Sequence, residues 1–116
     1  MMEPIPYFYD SINRNAIIVK PKQPLLDWVN SIYPESPVET FDEGTVYLVN
    51  SGESIQEVER WLQKNFDNIF QNELNGWNTD EKNWPEKRTF KLFKEWFNYE
   101  IHDMILDMEE DEIIKI

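Results

Sequence analysis

Apolar residues follow a strand pattern in two places along the chain. Residues 16–20 form a run rich in β-branched side chains that ends at Pro21, and residues 45–49 form a second run after Gly44. Such runs, bounded by glycine and proline, are typical of β-strands. Because the first run is almost continuously apolar, we expect both faces of that strand to be covered.

Elsewhere the apolar positions recur every third or fourth residue, which predicts helices. Pro24 suits the first turn of a short helix, and Pro34 stops it. Ser54, followed three residues later by Glu57, predicts a capping box at the start of a long helix. This helix is expected at 55–74, where the helical periodicity is longest.

The C-terminal part of the chain is less regular. Gly76 is expected to cap the long helix, and Pro85 to begin a second long helix. The inner face of this second helix is aromatic and its outer face is basic: Phe90, Phe93, Trp96 and Phe97 against Lys87, Arg88, Lys91 and Lys94. Residues 99–108 fit both a strand and a continued helix, and we favour a third strand.

This order of elements predicts an α+β fold, with a small three- to four-stranded sheet covered by one short and two longer helices. A length of 116 residues is common for one domain, so residues 1–116 are expected to form a single domain. The acidic tail at 109–116 is expected to fray. Two prolines make the segment at 4–9 extended, with its aromatic rings at the edge of the core. Strand order and direction stay open.

Composition adds a strong negative charge. Eleven lysines and arginines face 23 aspartates and glutamates, which gives a net charge of −12. Such a surface repels phosphate and anionic lipid, so we expect no nucleic-acid or membrane partner. Solubility alone accounts for such a charge, and a partner with a basic surface is the alternative that stays open, as does the oligomeric state. Without a long apolar run or a signal-peptide pattern, the chain is expected to be soluble and cytoplasmic.

Few residues are candidates for chemistry. The chain has no cysteine, and its three scattered glycines form no phosphate-binding loop. His102, the only histidine, is followed by Asp103 and Asp107, and this combination is suited to a divalent metal or to general-base catalysis. A histidine with a purely structural hydrogen bond is the alternative that we favour. We therefore assign no catalytic, cofactor-binding or metal-binding residue.

The five tryptophans raise the question of a ligand platform. Trp28, Trp61 and Trp96 lie on apolar helical stripes and are expected in the core. Trp77 and Trp84 flank the polar loop at 78–83. They are expected either to anchor this loop or to leave one ring exposed for contact with a partner.

Several short segments give the chain a recognisable signature: Lys20-Pro21-Lys22, Leu26-Asp27-Trp28, Trp84-Pro85, Phe93-Lys94-Glu95-Trp96-Phe97 and His102-Asp103-Met104-Ile105-Leu106-Asp107. This signature resembles a family of small acidic bacterial proteins with no assigned activity. The resemblance covers most of the chain and implies a bacterial protein. It transfers no catalytic or binding residue.

Two hypotheses of function follow from these patterns. The first is a non-enzymatic binding or regulatory module that uses its acidic surface, for example as an inhibitor of a basic enzyme. It rests on the charge and on the lack of catalytic motifs. The second is a small metal-binding protein or enzyme centred on His102 and nearby carboxylates. A cleft that joins His102 to these carboxylates favours the second hypothesis.

Overall fold

Antiparallel strands and three α-helices make up residues 10–116, which are the residues that the computed structural model describes. The strands are β1 (Asp10–Ser11), β2 (Arg14–Pro21), β3 (Thr45–Asn50), β4 (Phe97–His102) and β5 (Leu106–Asp107). The helices are α1 (Gln23–Ile32), α2 (Ile55–Trp77) and α3 (Phe90–Trp96), with a 3-10 turn at Glu81–Asn83. The predicted α+β fold is confirmed. The segment at 4–9, predicted to be extended, lies outside the described residues.

The main sheet has three strands in the order β3-β2-β4, and both pairings are antiparallel. Ile17 at its centre lies opposite Tyr47 on β3 and Ile101 on β4. A separate two-stranded sheet pairs β1 with β5, with Asp10 opposite Asp107. The ambiguous region at 99–108 is therefore strand rather than helix, as favoured, although its first strand begins two residues earlier, at Phe97.

The two faces of the main sheet differ in burial. Ile17 and Val19 point toward the helices and are completely buried. On the other face, Val46 is 57% exposed and Leu48 is 46% exposed. Ala16 is buried on this face because it is small and lies between Leu48 and His102 in the strand register. The prediction that both faces of β2 are covered therefore holds at Ala16 but not along the whole strand, and we call this second side the open face.

Helix α2 forms the main wall of the core. Its buried residues are Val58, Leu62, Ile69, Phe70 and Leu74. Phe70 is completely buried and its ring lies 5.9 Å from that of Phe93, 5.7 Å from Trp96 and 5.4 Å from Phe97, centroid to centroid. Neither α2 nor any other helix within residues 10–116 is long and apolar enough to cross a membrane.

The N-terminal end of α2 is capped as the sequence predicts, whereas its C-terminal end is not. The Ser54 hydroxyl accepts a hydrogen bond from the Glu57 N–H at 3.1 Å, as predicted for the cap. The Glu57 carboxylate accepts from the Glu53 N–H at 2.8 Å, one residue before the position in a standard capping box. At the other end, Gly76 is not a cap, because the helix continues through it to Trp77.

The second long helix predicted from Pro85 is wrong. Helix α3 begins only after Thr89, whose hydroxyl accepts from the Leu92 N–H at 3.1 Å, and it ends at Trp96. Residues 85–88 are held in a non-helical turn because Arg88 Nη1 donates to the Pro85 carbonyl at 2.9 Å, and Arg88 Nε to Asp67 on α2 at 2.6 Å. Arg88 therefore belongs to an ion pair and not to a solvated basic face.

The tryptophans predicted for the core divide into two groups. Trp28 and Trp96 are half-buried and lie 6.0 Å apart, centroid to centroid. Trp61 is 41% exposed, so its placement in the core was wrong. The buried stripe of α2 passes through its neighbours Val58 and Leu62, which leaves Trp61 at the border of the stripe.

Neighbouring substitutions on α2 test this account of the core. We expect Leu62→Ala to lower the free energy of unfolding by about 2–5 kcal/mol, because it leaves a cavity at a fully buried position. Trp61→Ala is expected to cost on the order of 1 kcal/mol, because its ring is already partly in water. Urea unfolding measures both values, and equal losses would contradict the placement of the two side chains.

Candidate functional site

The structure separates the residues predicted around His102. His102 is the last residue of β4 and lies exposed on the open face, with its Nε2 3.3 Å from Glu100 Oε2. Asp103 follows the strand and is exposed. Asp107 lies in β5, where its carboxylate accepts from the Glu109 N–H at 3.0 Å. Within residues 10–116, no group of three or more histidines and carboxylates is arranged to hold a metal ion.

Trp84 and Trp77 have different roles at the loop between them. Trp84 is buried, and its Nε1 donates to the Asn78 carbonyl at 2.7 Å, so it ties the loop to the core. Trp77 ends α2 and is half-buried. Its ring packs edge-on against Phe41 with a centroid distance of 5.1 Å. Trp77 thus forms part of a surface cleft.

This acidic–aromatic cleft has a volume of about 350 Å³ and lies between the end of the 34–44 loop and the last turns of α2. Its lining residues are Pro21, Phe41, Glu43, Gly44, Thr45, Asn72, Glu73, Gly76 and Trp77. Gly44 permits the loop to lie close to β2, because a Cβ there would stand 3.0 Å from Lys20 Cγ and 3.2 Å from the Val19 carbonyl oxygen. The lining holds two aromatic rings and two carboxylates, but no basic side chain.

Side-chain hydrogen bonds hold the loop and fix the wall of the cleft. Asn30 bonds through its side chain to both backbone groups of Val38, at 2.9 and 2.7 Å. The Tyr33 hydroxyl donates to the Trp77 carbonyl at 3.0 Å. Together with the contact between Phe41 and Trp77, these bonds fasten the loop over the end of α2. The cleft is therefore preformed.

Glu73 is positioned in the cleft by its neighbours. The Tyr47 hydroxyl donates to the Glu73 carboxylate at 2.5 Å and accepts from Asn72 Nδ2 at 2.8 Å. Burial raises the pKa of Tyr47 above its usual value, and the bond to Glu73 raises it further. Tyr47 therefore stays a neutral donor to the Glu73 carboxylate.

A second tyrosine forms a similar bond at the other edge of the sheet. The Tyr99 hydroxyl on β4 donates to the Glu59 carboxylate on α2. Burial raises the pKa of Tyr99, and the bond to Glu59 adds to this effect. Both edge strands are thus tied to α2 by a tyrosine–carboxylate pair.

Sequence reasoning missed Phe41, Glu43 and Glu73 as residues of a site. Phe41 lies in a loop rich in prolines and carboxylates, where a lone aromatic ring indicates that part of the loop packs down. Glu73 follows no local pattern, because its position depends on Tyr47 of β3, which is distant in sequence.

The two tyrosine pairs predict how stability depends on alkaline pH. A tyrosine whose pKa is raised in the folded state contributes stability below pH of about 10 and loses it as the pH rises toward the raised value. We expect Tyr47→Phe and Tyr99→Phe each to lower the free energy of unfolding by about 1 kcal/mol at neutral pH. Above a pH of about 10, the free energy of unfolding of the double variant should fall less steeply with pH than that of the wild type. Urea titrations across this range measure the slopes, and parallel curves would contradict the pairs.

His102 is expected to be dispensable for stability. Since its side chain is exposed and bonds only to Glu100 among the described residues, His102→Gln should change the free energy of unfolding by less than about 0.5 kcal/mol. Thermal melts of chelator-treated protein with Mg²⁺, Mn²⁺, Ca²⁺ or Zn²⁺ are expected to show no shift. A shift of several degrees that His102→Gln abolishes would instead restore the metal hypothesis.

Comparison with known proteins gives no match: no family model, no curated protein and no solved structure matches the chain. The resemblance to a family of small acidic bacterial proteins therefore stays a prediction.

Proposed function

We propose that the protein is a non-enzymatic binding module for a partner protein with a basic surface, and that the acidic–aromatic cleft receives a cationic side chain of this partner. The observation that carries the proposal is the arrangement of two rings and two carboxylates around one cleft: Phe41, Trp77, Glu43 and Glu73. A guanidinium or ammonium group is the ligand that these groups have in common.

The rings and the carboxylates attract a cation by different interactions. An aromatic ring presents negative charge on its face, and tryptophan binds cations best among the aromatic residues. A carboxylate adds a charged hydrogen-bond acceptor, which suits the planar donor group of arginine. Each such contact contributes about 0.2–1 kcal/mol at an exposed site, so the cleft alone binds weakly.

The net charge of the chain supplies the rest of the attraction. At −12, the molecule draws a basic partner over long distances and speeds their encounter. Because this attraction is screened by salt, affinity for the partner should fall steeply as ionic strength rises. A small acidic inhibitor that covers the basic surface of an enzyme is one form that this function takes.

The lining of the cleft favours binding over catalysis. The Glu73 carboxylate already accepts a hydrogen bond from the Tyr47 hydroxyl, and no histidine, lysine or cysteine is among the lining residues. An adjacent base is a common means of activating a nucleophile, and no lining side chain of the described cleft has such a hydrogen-bonded partner. A preformed cleft without such a pair is suited to recognition.

A labelled tetra-arginine peptide tests the proposal. We expect it to bind at low ionic strength and to weaken toward an ionic strength of about 0.15 M, measured by fluorescence anisotropy. Glu43→Gln is expected to weaken binding by up to about fivefold, because one carboxylate of the cleft is lost. Trp77 fluorescence should change on binding, since its ring lines the cleft.

Glu110→Gln is the matched control for this experiment. It changes the net charge by the same amount, but Glu110 lies exposed in the C-terminal tail and does not line the cleft. We expect this variant to bind like the wild type. Equal weakening by both variants would mean that the charge acts only diffusely, and the cleft would then not be the binding site.

A further inference from the structure

We infer that the partner binds along β3 as an added strand: an extended basic segment pairs with the outer edge of β3, and two of its side chains, four residues apart, enter two clefts. This inference rests on the proposed function, because one of these clefts is the acidic–aromatic cleft. It names the shape and the residue pattern of the segment that is bound.

The first observation is the chemistry of the edge. Strand β3 is an outer strand of the main sheet, and no strand within residues 10–116 pairs with its far side. An edge strand presents unpaired N–H and C=O groups, and proteins usually protect such edges with charges, proline or bulges. The sequence of β3 is Thr-Val-Tyr-Leu-Val-Asn, which holds no charge and no proline. As far as residues 10–116 are concerned, this edge is therefore open to backbone pairing.

The second observation is another cleft at the opposite end of β3. It has a volume of about 130 Å³, and we call it the Trp61 cleft. Its lining residues are Val49, Asn50, Ser51, Gly52, Glu57, Val58 and Trp61. Like the acidic–aromatic cleft, it combines a tryptophan with a carboxylate, and the ring of Trp61 is exposed. It is lined only by β3, the loop that follows and the start of α2, so it opens at the edge.

The spacing of the two clefts matches one strand. Thr45 lines the acidic–aromatic cleft and Val49 lines the Trp61 cleft, and both side chains lie on the same face of β3 as Tyr47. Four residues of strand span about 13 Å. Because residues directly opposite each other on paired strands share a face, an added strand directs its side chains i and i+4 toward the two clefts.

On the added strand, the side chains at i+1 and i+3 lie on the same side of the sheet as the open face. On an added strand, residues i+1 and i+3 lie beside Val46 and Leu48, which are apolar and exposed. Leu48 also lines a cleft of about 670 Å³ with Ile113 and Ile114 of the C-terminal tail. The bound segment should therefore have cationic residues at i and i+4, with apolar residues at i+1 and i+3.

Charge selects a basic partner over a second copy of this chain. Carboxylates stand on both sides of β3, at Asp42 and Glu43 before it and at Glu53 after it. If two copies paired antiparallel through β3 with Thr45 opposite Asn50, Asp42 of one copy would lie opposite Glu53 of the other. Such like charges repel, whereas a basic segment is attracted along the whole edge.

Two peptides of identical composition test the inference. The first is acetyl-Thr-Arg-Val-Thr-Val-Arg-Thr-amide, with arginines four positions apart. The second is acetyl-Thr-Arg-Val-Thr-Arg-Val-Thr-amide, in which one arginine is moved to the opposite face of an added strand. We expect the first to bind at least about fivefold more tightly by titration calorimetry, since only its arginines reach both clefts. Hydrogen exchange of those amides at 45–50 that point away from β2 should slow when the first peptide is added.

Variant proteins test whether one arginine of the first peptide enters the Trp61 cleft. Trp61→Ala is expected to remove most of the advantage of the first peptide while the fold is retained, because Trp61 is at the border of the buried stripe. Met104→Ala, at an exposed position that lines neither cleft, is the control and should leave the advantage unchanged.

The outcomes separate this inference from the proposed function. Equal affinities without slower exchange at 45–50 would overturn strand addition, while a weaker affinity in Glu43→Gln would still support the cleft as a cation site. No binding of either peptide would overturn both. Slow exchange of the outward-pointing amides at 45–50 in the free protein, together with a dimeric mass in light scattering, would overturn the choice of partner in favour of a second copy.

Discussion

The packing of α2 across the inner face of the main sheet is the constraint on which the rest of the structure depends. Phe70 anchors the helix among the rings of α3 and the start of β4. Tyr47 and Tyr99 then fasten it to both edge strands through Glu73 and Glu59. Apolar contacts set the depth of the helix, and these directional bonds set its position across the sheet. The two clefts along β3 exist because α2 is held at that position.

The elements that were predicted correctly are those whose signals are local. Strands β2 and β3, helix α1 and the start of α2 follow from periodicity, proline positions and the Ser54 cap. The errors arise where distant residues decide. Arg88 bonds to Asp67 on another helix and so prevents an earlier start of α3. Likewise, Ala16 is buried on the face where Val46 and Leu48 of β3 are exposed, which a strand's own sequence does not reveal.

The candidate site was less predictable than the fold for the same reason. A search of the sequence for reactive residues selects His102, because it is the only histidine. The structure instead brings together residues of ordinary types from separate elements. Phe41 and Trp77 become a pair only when the loop packs over the end of α2, and Glu73 is positioned by a tyrosine of β3. No spacing along the chain encodes these contacts, whereas the acidic charge was evident from composition.

The direct junction of α3 and β4 has a consequence for how this chain tolerates change. Helix α3 ends at Trp96 and β4 begins at Phe97, with no connecting residue, and both Phe93 and Phe97 are buried. An inserted residue turns a helix by about 100° and reverses the faces of a strand. An insertion at this junction would therefore misplace the helix or turn the inner side chains of β4 outward. Natural variation in length should collect in the loop at 34–44 and after β5, and should be absent at 96–97.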